Sequence, residues 1–159
     1  MGSQIFTSGY EGLSIDVFVA RLKANAIAMV IDVRELPLSR KPGFSKKSFA
    51  EMLHQAGIGY VHLPVLGCPR PIRDRFKANG DWAAYATAFS TYLSGQEMAV
   101  AEVVGIANVA TSCLVCFEAN FARCHRSMVA SAAAHAGGLA VVHLPAKAEM
   151  AALTARVAA

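Results

Sequence analysis

Apolar residues fall along this chain in two textures: short unbroken runs, and stripes recurring every three or four positions. Unbroken runs of four to eight residues suit strands buried on both faces, and stripes suit helices with one face inward. The runs predict strands at Gln4 to Thr7 (ended by Gly9), Ala28 to Val33, Tyr60 to Leu63, Ser112 to Phe117 and Ala140 to Leu144. The first helix is capped by Ser14 and turns Ile15, Phe18, Val19 and Leu22 inward; the second opens at Ser45 or Lys46, carries Phe49, Met52 and Leu53, and stops at Gly57. Asp81 caps a helix from Trp82 to Leu93, Gln96 to Val109 forms another, and Ser127 to His135 and Ala146 to Val157 close the series. Arg34 to Phe44 and Pro64 to Pro71 read as loops, because their prolines break regular structure.

Strands alternating with helices imply a single α/β domain over 1–159: three layers, with a mostly parallel sheet of about five strands flanked by helices. In such sheets ligands bind at the carboxyl ends of strands where the strand order reverses. If strand one lies beside strand four, Thr7-Ser8-Gly9-Tyr10 adjoins the densest chemistry in the chain. That stretch is Cys116-Phe117-Glu118, followed by Arg123-Cys124-His125-Arg126 at the mouth of a helix.

Composition sharpens the picture. Apolar residues make up 55% of the 159 and charged ones only 16%, which predicts an oily globular core. The charge-poor stretch from Ser127 to Ala146 is split by Gly137-Gly138, His135 and His143, so no membrane span is expected. Met1 to Tyr10 has no basic leader region, and Phe6 stands where a myristoylation motif wants Ser or Thr. The expected location is cytoplasmic, with the four cysteines reduced. The net charge of +4 is concentrated in two loop-like stretches, Arg34 to Lys47 and Arg70 to Lys77. Basic loops on one rim attract anions such as phosphate or nucleic acid; a merely solubilising surface is the plainer reading of either stretch alone.

Four motifs carry a family resemblance: Thr7-Ser8-Gly9-Tyr10-Glu11-Gly12; Asp32 to Arg40 with Gly43-Phe44-Ser45-Lys46; Tyr60-Val61-His62-Leu63 with Leu66-Gly67; and Cys116-x-Glu118 with Cys124-His125-Arg126. In this order they resemble the bacterial and archaeal family called domain of unknown function 488, over about Gln4 to Leu144. The resemblance implies an α/β domain and no established activity. Some members are labelled as DNA-repair proteins, a pointer toward nucleic acid. Cys113 lies outside the family pattern and receives no functional role.

The chemistry can then be weighed residue by residue. Residues i and i+3 of a strand face opposite ways, so Cys113 and Cys116 do not share a metal ion. A four-ligand zinc site would need Cys116, Cys124 and His125 joined by a distant His62 or Cys68, so neither metal nor cofactor is expected. No Cys-x5-Arg phosphate loop begins at any cysteine; Arg123 is one residue too far from Cys116. Cys124, between Arg123 and His125 before a helix, sits where a thiol pKa is lowered, or else is a small buried anchor of the helix start. Asp32 in an apolar strand needs a partner such as Arg34 or Arg126; a structural ion pair and a catalytic acid fit it equally. His125 is expected to titrate near neutral pH, and Arg126 to present a guanidinium to an anion at the helix N-terminus.

The leading expectation is therefore an enzyme acting on a phosphate-bearing substrate, a nucleotide or nucleic acid. Glu118, His125, Asp32 and Cys124 are its candidate catalytic groups. Thr7, Gly9, Tyr10, Arg34, Ser39, Arg40 and Arg126 are its candidate binding groups, Ser39 and Arg40 lying on a loop that closes over the site. A non-catalytic nucleic-acid-binding module, and a metal or redox protein using Cys116, Cys124 and His125, are the alternatives.

Overall fold

The computed structural model describes residues 3–145. The helix expected from Ala146 to Val157 lies outside them. Five strands, β1 (Gln4–Gly9), β2 (Met29–Asp32), β3 (Gly59–His62), β4 (Ser112–Cys116) and β5 (Ala140–His143), form one sheet in the order β3-β2-β4-β1-β5. Every pairing is parallel. Helices α1 (Ile15–Ala24) and α2 (Lys46–Gln55) cover one face; α3 (Arg70–Asn79), α4 (Trp82–Ser94), α5 (Glu97–Val109) and α6 (His125–Gly137) lie on the other.

Strand alternation sorts the core. Along β4, Cys113 and Val115 join Phe18, Leu22, Phe49 and Leu53 on the α1/α2 side, whereas Leu114 and Cys116 join Phe89, Val103 and Val129 on the other. Cys113 and Cys116 thus face opposite ways, as strand geometry requires. The helix boundaries follow their caps: Ser14 accepts from the Val17 amide, and Asp81 from that of Ala84.

Two expectations need correction. The basic stretch around Arg70 to Lys77 is not a loop but α3, and Pro64–Leu66 is a 3-10 turn. Pro71 stands in the first turn of α3, where a helix needs no amide donor, so the proline that looked like a breaker is compatible with the helix. Helix α6 begins at His125 rather than Ser127, which makes Cys124 its N-cap.

The topology creates the crevice. The chain leaves β1 and β2 toward the α1/α2 face, but leaves β4, their shared neighbour, toward α6 on the opposite face. The carboxyl end of β4 is therefore flanked by divergent connections, the place where open parallel sheets bind ligands. Gly9 pairs with Cys116 at this end. Its Cα is packed so tightly that an added Cβ would fall 1.8 Å from the Glu118 carbonyl oxygen and 3.0 Å from Arg126 Nη1. Gly9→Ala is expected to destabilise the fold by about 1–3 kcal/mol or more, by prising β1 from the chain beyond β4. Urea denaturation measures the loss; an unchanged midpoint would contradict the close approach.

Candidate functional site

Asp32 ends β2 and is fully buried, so its charge has to be met from within the protein. Arg34 meets it bidentately, Nε to Oδ1 at 2.9 Å and Nη2 to Oδ2 at 2.7 Å. The Tyr60 hydroxyl donates to the same Oδ2 at 2.6 Å. Arg34 also donates through Nη1 to the Tyr10 hydroxyl and the Phe44 carbonyl, and its guanidinium lies over the Tyr10 and Phe49 rings. Burial works against this cation, but Asp32 outweighs it and holds the Arg34 pKa above its usual range. The same surroundings raise the Tyr60 phenol through burial and its bond to Asp32. Of the two partners proposed for Asp32 it is Arg34, and the pair pins the root of the loop that follows β2.

At the end of β4 a second group converges. Cys116 Sγ lies 2.7 Å from Cys124 Sγ, longer than an S–S bond of about 2.05 Å, and both thiols are free. Glu118 Oε2 is 3.3 Å from each sulfur. Beneath them lies Arg126, wholly buried. Its Nη1 donates to Cys116 Sγ at 3.1 Å and to the Glu118 carbonyl, its Nη2 to the Ala119 carbonyl, and its Nε to Thr7 Oγ1 at 3.2 Å. Burial disfavours this cation, but its interactions with the adjacent Cys116 and Cys124 sulfurs raise its pKa. Thr7 Oγ1 is also 2.6 Å from His143 Nδ1, whose ring stacks on Phe121.

Three expectations change here. Cys124 does not have a lowered pKa: burial first, then its bond to Cys116, push the thiol well up, against the helix N-terminus it caps. His125 is buried and its pKa is lowered by desolvation. Its Nε2 lies 2.8 Å from the Val33 carbonyl, so the neutral ring donates there and turns the Nδ1 lone pair toward Cys124 Sγ, 3.8 Å away. Arg126 does not present a free guanidinium at the helix start, because its donors are taken up by β1 and the chain beyond β4.

A cavity of about 240 Å³ opens above this group. Tyr10, Arg34, Ser39, Cys116, Glu118 and His125 line it, so the topology unites residues from β1, the β2 loop and the β4–α6 junction. Thr7, Gly9, Asp32, Cys124 and Arg126 stand behind this wall, and Arg40 is exposed outside it. Ser39 is held by a pair of hydrogen bonds to Ser45, and Lys41 Nζ ties the same loop to the Tyr10 and Leu13 carbonyls. Glu35, Cys68 and Arg73 also line the cavity, although none was among the expected binding groups. Arg73 Nη2 pairs with Glu35 Oε1 at 3.0 Å and its Nε donates to the Cys68 carbonyl. The Pro and Gly content that suggested a loop concealed the helix delivering Arg73. A larger open groove of about 970 Å³ between α4 and α6 has Glu97 and His135 as its ionisable residues.

The protein is thus an all-parallel α/β domain with a cleft at the switch point of its sheet. It belongs to the family described as Domain of unknown function DUF488, whose model matches residues 14–133. That span contains Cys116, Glu118, Cys124, His125 and Arg126, and begins after Thr7, Gly9 and Tyr10. No curated protein and no solved structure matches the chain.

Asp32→Ala is expected to destabilise the protein by about 3–5 kcal/mol, since it strands Arg34 as an unpaired buried charge; chemical denaturation would register it. Stability should also depend on pH through His125. Its folded pKa lies below the ordinary 6.5, so its contribution is present above that value and is lost as the pH falls through it toward the folded pKa. The unfolding free energy should therefore drop between pH 7 and 5, and His125→Gln, an uncharged donor to Val33, should flatten the slope. The flattening is partial because His143 is shifted in the same direction by its own burial.

Proposed function

We propose that the protein is a thiol-based redox enzyme in which Cys116 attacks a small substrate and Cys124 completes the reaction. One observation carries this reading: two free thiols 2.7 Å apart, sharing one carboxylate at 3.3 Å, at the foot of a cleft. Cys116 lines the cavity and Cys124 does not, which supports Cys116 as the attacking sulfur. With a disulfide substrate, the Cys116 thiolate attacks one substrate sulfur, the substrate S–S bond breaks, and the first thiol leaves with a proton. Cys124 then passes its proton to Glu118 and attacks Cys116 Sγ, expelling the second thiol. Two electrons have moved from the cysteine pair to the substrate, and an external dithiol restores the pair. The raised pKa of Cys124 keeps it protonated until Glu118 accepts that proton. Arg126 offsets negative charge on the pair throughout.

The acid/base enzyme acting on a nucleotide or nucleic acid is the second reading. Its support is α3, which buries no side chain, carries Arg70, Arg75 and Lys77 exposed, and delivers Arg73 to the cavity. Against it, Arg34 and Arg126 are occupied by internal acceptors, and Arg73 by Glu35.

An aromatic disulfide that releases a coloured thiol separates these readings. The unmodified protein should release two thiols per reactive centre and finish with a Cys116–Cys124 bond, identified by mass spectrometry of a digest. Cys124→Ser should stop at a mixed disulfide on Cys116 after one thiol. Cys116→Ser should slow the first release by about tenfold or more. A wild-type chain that halts at the mixed disulfide with Cys124 still free would refute the redox mechanism.

A further inference from the structure

The cysteine pair has a second capability that electron transfer does not require. We propose that Cys116, Glu118, Cys124 and His125 form a binding site for one thiophilic divalent cation of the zinc class. One ligand atom from each of Cys116, Glu118 and Cys124 lies within 4.8 Å of the others, the only such group among the described residues; His125, beside Cys124, stands outside it as the fourth donor. Two thiolates, a carboxylate oxygen and an imidazole nitrogen are the donors such ions take in tetrahedral sites.

Among Cys116, Glu118 and Cys124 the spacing is close to what a cation needs. Ordinary zinc bond lengths at tetrahedral angles separate two sulfurs by about 3.8 Å, and a sulfur from an oxygen or nitrogen by about 3.6 Å. Glu118 Oε2 stands 3.3 Å from both sulfurs and His125 Nδ1 stands 3.8 Å from Cys124 Sγ. The sulfurs, at 2.7 Å, have to part by about 1 Å, within reach of side-chain rotation. Glu118 is exposed and lies on the irregular segment beyond β4, free to adjust, while Cys116 and Cys124 are fixed by a strand and a helix start.

The surroundings are built for the same task. His125 donates Nε2–H to the Val33 carbonyl, which fixes the tautomer that leaves Nδ1 available, as ligating histidines are usually held. Two thiolates and a carboxylate around a divalent cation leave one negative charge, and the Arg126 guanidinium on Cys116 Sγ cancels it in the buried site. The expectation of no metal rested on the opposed faces of Cys113 and Cys116 and on the lack of an evident fourth ligand beside Cys116, Cys124 and His125; the fold brings Glu118 against both sulfurs.

The site is independent of the redox reading, since it uses the same thiols only while they are reduced. The test is cobalt(II) titration of the metal-free full chain under reductant. One equivalent should bind with thiolate-to-cobalt charge-transfer absorption, and zinc should displace it. Cys116→Ser and Cys124→Ser should each abolish the band, Cys68→Ser should retain it, and Glu118→Gln should weaken binding by about ten- to a hundredfold. Should a cysteine variant fail to fold, the wild type still decides: zinc must protect Cys116 and Cys124, and not Cys68, from alkylation by iodoacetamide. Absence of the band and of protection in the folded, reduced wild type overturns the site, as does a band that survives both cysteine substitutions. A chain that forms the disulfide yet binds no cobalt loses this site alone. One that binds cobalt yet never forms the disulfide loses only the redox mechanism.

Discussion

A single buried guanidinium organises the working end of this molecule. Arg126 has no access to solvent, so each of its donors has to find an acceptor inside the protein. It finds them on three segments: Thr7 in β1, Cys116 in β4, and the Glu118 and Ala119 carbonyls of the chain leaving the sheet. Those bonds hold the irregular exit of β4 against β1 and aim the Glu118 carboxylate back over the sulfurs. Gly9 permits the approach by having no side chain there. A lysine, with one compact charge and no planar fork, could not serve acceptors arranged this way.

The opposite wall rests on a comparable device. Asp32, Arg34 and Tyr60 form a closed polar set inside an aromatic box of Tyr10, Phe44 and Phe49, with Tyr10 and Phe44 stacked at 4.2 Å. His62 Nε2, 2.7 Å from the Arg34 carbonyl, joins β3 to the same corner, and His125 joins the two walls through Val33. The cleft therefore has rigid sides from two separate polar networks, and its most adjustable reactive group is Glu118.

The centre of the sheet was legible in the sequence because β2 and β4 are buried on both faces and read as nearly unbroken apolar runs. The adjacency of β1 and β4 was legible because the polar motifs all fell at strand ends. What escaped was non-local. Nothing in the spacing of Cys116 and Cys124 announces that their sulfurs meet, since an irregular segment joins them and no periodicity governs it. Arg126 read as an open anion holder because its acceptors, Thr7 and two backbone carbonyls, are brought to it only by the fold. Arg73 and Glu35 meet from segments distant in sequence, one of them on a helix hidden behind prolines.

The immobility of Arg126 also bears on the energetics of the cysteine pair. Its other acceptors, a hydroxyl and two carbonyls, are neutral, so Cys116 Sγ is the one acceptor of its guanidinium that can change charge. Cys116 is thus the sulfur whose negative charge the guanidinium would meet, while burial holds Cys124 as the neutral thiol. One fixed cation thereby makes two touching thiols chemically unequal.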